Sequence, residues 1–286
     1  MTGQRPEVPE RSKPIGQRLS SAVLPAFTGL AVVYLFLPIA VMIAFSFNDP
    51  RGRQNITWQG FTVENYFDVW NRPDITGPMV SSIIVAVVAT VLATILGTLI
   101  GLALTRYQFR GQGPLNLLIY IPMATPEVIM GASLLSLWVT TGVQRGLVTI
   151  IIAHVMFNIS FVVVTVRARI AGFNRSLEEA AMDLGADEIT TFRKVTLPLI
   201  FPGILAAALL AFALSIDDYV ITSFVSGQTT TFPLWVFGAS RFGVPPEVNV
   251  LGTLIFMLAF VFIAAQILWA RRRSGIEASL AREIAT

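Results

Sequence analysis

Residues 75–105 read ITGPMVSSIIVAVVATVLATILGTLIGLALT, with no Asp, Glu, Lys or Arg anywhere in the run. A helix needs roughly 20 apolar residues to cross a ~30 Å hydrocarbon core, and this run is longer than that. Comparable charge-free windows extend over Leu19–Asn48, Gly146–Val166, Val195–Ile216 and Val248–Ala270. A further window, Pro114–Val139, is interrupted by a single acid, Glu127. The window that opens at Val195 is read as continuing past Asp217 and Asp218 to about Val225. The sequence therefore predicts an all-α polytopic membrane protein with six transmembrane helices, near 22–47, 79–105, 114–140, 146–167, 198–225 and 249–270.

Composition agrees with that reading and narrows the chemistry. Of the 286 residues, 54% are hydrophobic and only 13% charged, about half the ~25% charge content of soluble domains. Disorder needs the opposite balance. A net charge of +3 gives no ground for a nucleic-acid partner. The lack of cysteine excludes disulfides, thiolate metal sites and cysteine nucleophiles. The lone histidine, His154, cannot build a multi-histidine metal site. No G-x-x-x-x-G-K-[ST] phosphate loop, H-E-x-x-H or G-x-S-x-G occurs, which leaves an intramembrane enzyme without its usual machinery. The first apolar window exceeds the 7–15 residues of a signal-peptide core and is not followed by a small-x-small cleavage site, so it reads as a retained helix.

An even number of spans puts both termini on one side. Fifteen of the 20 Lys and Arg residues fall on that side, including Arg271–Arg273 directly after the last span. The positive-inside rule makes it the cytoplasm. The domain plan is then a cytoplasmic tail (1–20), a six-helix membrane domain (21–271) and a second cytoplasmic tail (272–286). In the external loop, Trp58, Tyr66, Phe67 and Trp70 suit the membrane–water interface and predict a short interfacial helix around Val63–Trp70.

The cytoplasmic stretch between the fourth and fifth spans, 173–198, is dense in helix-end signals. Ser176-Leu177-Glu178-Glu179 has the form of a capping box. Gly185 stands where a helix C-cap wants positive φ. Asp187 can cap a second short helix, Glu188–Lys194, whose last turn carries Arg193 and Lys194 at the negative end of the dipole. Pro198 is expected to end that helix and start the next span.

At these residues the sequence resembles a known family. Glu179-Ala180-Ala181, three residues, Gly185, nine residues and Val195-Thr196-Leu197-Pro198 resemble the EAA loop (EAA-x3-G-x9-I-x-LP) of type I ABC importer permeases, with Val195 in place of isoleucine. WQGFTVENY at Trp58–Tyr66, Ser81-Ser82 and Pro122–Leu135 are similar to other parts of such permeases. Ser215–Val225 and Gly243–Asn249 are similar to the permeases of spermidine/putrescine importers, and that closer likeness is what points to polyamines. Opines, aminophosphonates and amino-acid-like cations are the other substrates of this branch.

The resemblance implies a six-helix permease fold in the bacterial inner membrane. It implies a second permease subunit as heterodimeric partner, two ATPase subunits holding ATP and Mg, and a periplasmic substrate-binding protein. No cofactor is implied in this chain. Glu179, Ala180, Ala181, Gly185, Ala186, Asp187, Glu188, Leu197 and Pro198 would form the ATPase-coupling segment, with a coupling helix over Ala186–Lys194. A secondary transporter or channel working alone is the rival class, and an EAA loop counts against it.

Three acids lie at or near membrane depth: Glu127, Asp217 and Asp218. A charge at a helix centre costs about 2.5–3.5 kcal/mol on insertion scales, so such groups face a cavity, a partner or a pathway. They are candidates for a cation pathway, weighed against backbone capping at helix breaks near Pro122 and Pro126. Successive helical residues point about 100° apart, so Asp217 and Asp218 are not expected to share one role. His154 and Asn158, one turn apart, are expected to make interhelical hydrogen bonds. Gly97 and Gly101 are expected to let two helices approach closely.

Overall fold

A computed structural model describes residues 15–52, 54–172, 174–261 and 264. Residues 1–14, the predicted tail 272–286, the arginines at 271–273 and most of the last nine residues of the sixth predicted span lie outside them; residues 15–20, read from the sequence as tail, instead open the first helix. The described residues are almost wholly helical. The helices are α1 (Ile15–Ser46), α2 (Asn65–Asp68), α3 (Pro73–Arg106), α4 (Gln112–Ala124), α5 (Glu127–Thr141), α6 (Leu147–Ala171), α7 (Ser176–Asp183), α8 (Glu188–Thr191), α9 (Leu197–Asp217), α10 (Val220–Val225) and α11 (Phe232–Ser240). A last apolar helix, α12, spans Pro246–Val261. Among the described residues, four helices are long and apolar enough to cross a membrane: Val23–Ser46, Pro73–Arg106, Leu147–Ala171 and Glu188–Asp217.

The other expected spans differ from the sequence reading. The span predicted over 114–140 is two helices, α4 and α5, bent by 107°. The cause is local. Thr125 precedes Pro126 and is extended at φ −81°, ψ 130°, because the proline ring disfavours α conformation in the residue before it. The span predicted to run on to Val225 also breaks. α9 ends at Asp217, and Asp218 turns to ψ 120° before α10 begins. Counting the bent pair as one span gives five among the described residues, and the sixth predicted span, 249–270, is described as the helix Pro246–Val261.

The chain divides into two compact units, Trp70–Phe242 and the residues on either side of it. In the flanking unit, α1 and α12 approach so closely that a Cβ on Gly252 would lie 2.7 Å from Met42 Sδ. The loop that follows α1 is organised by one buried amide. Asn48 Nδ2 donates to Asn55 Oδ1 (2.6 Å) and to the Thr57 carbonyl (2.9 Å), while its Oδ1 accepts from the Gln59 amide (2.8 Å). A short helix is present where one was expected, as α2 followed by a 3-10 turn at Val69–Asn71.

The central unit is built on α3, α6 and α9. Gly97 of α3 faces Val162 of α6, where an added Cβ would lie 2.6 Å from Val162 Cγ1. One turn on, a Cβ at Gly101 would meet Val166 at an ordinary 3.5 Å. Ala93, Val162, Val166, Ile200, Ala207 and Ala211 close the core among these three helices. A second core joins α5, α6 and α10 through Met130, Leu134, Ile150, Phe157, Ile221 and Val225. Gly131 makes room for the Phe224 ring, 2.5 Å from where its Cβ would be. Thr149 Oγ1 donates to the Val225 carbonyl at 2.8 Å and ties the end of α10 to α6.

Candidate functional site

The two helix breaks bring the three membrane acids together. Glu127 opens α5 after the Pro126 turn, and Asp217 and Asp218 occupy the break between α9 and α10. All three line one cavity of about 330 Å³, with the rings of Phe157, Phe161 and Tyr219. Acids and aromatic faces are both attractive to organic cations. The cavity is at the small end of ligand pockets.

The acids are not equivalent. Asp218 has only 6% of its side chain exposed. Its Oδ2 accepts from the Thr222 amide (2.8 Å) and the Thr222 hydroxyl (2.7 Å), and its Oδ1 accepts from the Ile221 amide (3.3 Å). These bonds cap the start of α10, as an N-terminal Asp does. His154 Nε2 lies 3.3 Å from Asp218 Oδ2 and 2.9 Å from Thr222 Oγ1. Both neighbours are acceptors here, which places a proton on Nε2. One turn along α6, Asn158 Nδ2 donates to Ser215 Oγ of α9 at 2.7 Å. The expected interhelical bonds of His154 and Asn158 are thus formed. Asp217 and Glu127 are exposed to the cavity side, so Asp218 holds the break while the other two acids remain available to a solute.

The stretch between α6 and α9 departs from expectation in detail. The capping box at Ser176 is not formed. α7 begins one residue after Arg175, and the Asn174 Oδ1 accepts from the Ser176 amide at 3.1 Å. A side chain two residues upstream satisfies the free amide first. Gly185 does take φ +90°. Asp187 caps α8 by accepting from the Thr190 amide at 3.1 Å, and the Thr190 hydrogen bonds hold its carboxyl below the ordinary value.

The second short helix is not a separate element. α8 passes into a π turn, Phe192–Thr196, and straight on into α9. Pro198 lacks an N–H and its ring would crowd the carbonyl four residues back in a regular helix. The wider turn absorbs this: the Leu197 amide donates to the Phe192 carbonyl, five residues back. The predicted coupling helix Ala186–Lys194 is therefore the leading end of one rod, Glu188–Asp217. Glu179, Ala180, Gly185, Asp187, Glu188 and Pro198 are exposed, with Ala181, Ala186 and Leu197 partly so. Leu184 is 90% exposed and Ile189 68%.

Sequence reasoning missed Glu178, which is buried where Glu179 is not. Its Oε1 accepts from Arg106 Nη2 and from Thr196 Oγ1. The sole available signal was helical phase, which puts Glu178 and Glu179 on different faces of α7. Among the described residues, no cluster of three metal-ligating side chains occurs.

Comparison with known proteins gives the same direction. The spermidine/putrescine transport system permease protein PotC of Haemophilus influenzae is 37% identical over 250 residues, covering 87% of this chain and 96% of that one. The putrescine transport system permease protein PotI of Escherichia coli K12 is 39% identical over 248 residues, covering 84% and 87%. A crystal structure of a bacterial ABC transporter involved in alginate import superposes with a TM-score of 0.62 at 18% identity, covering 91% and 98%. That of the MetNI methionine ABC transporter gives 0.56 at 19%, covering 68% and 95%. At such identities these two structures speak to fold, and the fold is that of ABC transporter membrane subunits. Residues 93–273 match the family described as the binding-protein-dependent transport system inner membrane component, and the chain belongs to that family.

Proposed function

We propose that this chain is one permease half of an ATP-driven importer that carries polyamines, spermidine or putrescine, from periplasm to cytoplasm. The observation that carries the substrate class is the cavity shared by Glu127, Asp217, Asp218 and three aromatic rings inside the apolar helices. A di- or polyammonium ion crossing there gains Coulomb attraction to two exposed carboxylates, an attraction that passage requires to be weak enough for release. Relatives at 37–39% identity carry spermidine/putrescine or putrescine in their names, which supports the same class.

In this reading the chain pairs with a second permease subunit, a periplasmic binding protein delivers the substrate, and two ATPase subunits bind ATP and Mg. The exposed stretch 179–189, with Leu184 and Ile189 projecting, docks the ATPase, and the rod Glu188–Asp217 carries its displacement to the acid cavity. Both termini are cytoplasmic. The test is uptake into proteoliposomes holding the co-expressed complex. Labelled spermidine or putrescine should accumulate only with ATP and the binding protein; ATP-independent uptake, or none with either polyamine, contradicts the proposal.

A further inference from the structure

Glu178 lies outside the loop motif yet is the buried carboxylate of the cytoplasmic segment, with 8% of its side chain exposed. One oxygen accepts from Arg106, the last residue of α3, and from Thr196, in the π turn ahead of α9. Burial opposes the charge, but the Arg106 and Thr196 hydrogen bonds outweigh it and hold the carboxyl below its ordinary value. Beside the joint is a cavity of about 520 Å³ lined by Arg106, Glu178, Met182, Ile189 and Thr196. The segment therefore meets α3 across a void, through a polar tether. A buried ion pair adds little net stability over apolar residues of the same size, so stability alone is a poor reason for three elements to converge on it.

We propose that Glu178 is a positioning residue for transport: it ties the ATPase-facing segment to α3 as well as to α9, so that one displacement moves both. Continuity of the chain already joins the segment to α9 through the π turn. Without Glu178, α3 loses this polar link to the segment and follows it only through its packing against α6 and α9. This rests on the coupling role given to the segment above.

The test uses the reconstituted complex and spin labels, since the chain has no cysteine. The pair Ala186→Cys and Thr141→Cys reports whether the segment moves between nucleotide-free and vanadate-trapped states. No change there sinks the coupling role itself. Given that change, the pair Ala186→Cys and Gln108→Cys should keep one narrow distance in both states. Glu178→Gln and Thr196→Val should broaden that distance. Transport per ATP hydrolysed should fall by roughly tenfold, as losing charge-assisted hydrogen bonds implies. An unchanged distance in both variants, or a loss confined to the amount of complex with transport per ATP intact, overturns the proposal.

Discussion

Asp217 and Asp218 are adjacent and both acidic, yet truncating them should have unequal consequences. In Asp218→Ala, α10 loses its cap, with the bonds from the Ile221 and Thr222 amides and the Thr222 hydroxyl. Loss of an N-cap costs about 0.5–2 kcal/mol. The buried Thr222 hydroxyl and the nearby His154 then lack their acceptor, which adds about 1–3 kcal/mol for unsatisfied groups. The sum is roughly 2–4 kcal/mol after allowing for the remaining His154–Thr222 contact, taken from these two ranges. Asp217 is exposed and caps nothing in α10, so Asp217→Ala should stay within about 0.5 kcal/mol. The assay is the melting midpoint of the detergent-purified complex, followed by size-exclusion of heated samples. At ~2–4 °C per kcal/mol for a chain of this size, Asp218→Ala should melt several degrees low and Asp217→Ala should overlie wild type. Equal losses, or a larger loss in Asp217→Ala, would refute the assignment of Asp218 as the residue that holds the break.

Single cysteines at Gln59 and Ala186, probed with an impermeant maleimide on intact cells, should label at Gln59 alone if the basic residues orient the chain as the positive-inside rule states. Gly97→Ala should destabilise the chain by about 1–3 kcal/mol through overpacking against Val162, and Val162→Ala should recover most of it; Gly101→Ala, at ordinary contact distance, should cost less. The lowered carboxyl of Glu178 gives a stabilising contribution present above its ordinary value of 4.5 and lost as pH falls through the lower folded value. The label pair at Ala186 and Gln108 should therefore broaden on acidification below about pH 4.5, and Glu178→Gln should be broad at every pH.

Charge-free length was enough to place α1, α3, α6 and α9, because the bilayer demands about 20 apolar residues wherever a helix crosses. It was not enough to see the breaks. A window through Thr125–Pro126 looks like a span to a hydropathy count, and only the backbone restriction before proline turns it into two helices. Asp218 was legible as a membrane acid, but its capping role needed Thr222 and His154, which lie 4 and 64 residues away and meet it only in the fold. Helix-end signals located Gly185 with its positive φ, and the loop motif marked the segment proposed to couple to the ATPase. Pro198 was expected to end the second short helix, where a π turn in fact carries the helix through. Glu178 was overlooked because the motif begins at the next residue, and burial is a property of tertiary packing that the motif does not encode.

Transport per assembled complex in Asp217→Asn and Glu127→Gln tests the central claim most directly. Each change keeps size and hydrogen bonding and removes one carboxylate charge from the cavity wall. If these acids attract a passing polycation, each variant should assemble as wild type and transport spermidine roughly 5- to 150-fold more slowly, the equivalent of about 1–3 kcal/mol in a partly dry site. Wild-type transport per complex in both variants would contradict the claim and leave the cavity without a role in cation passage.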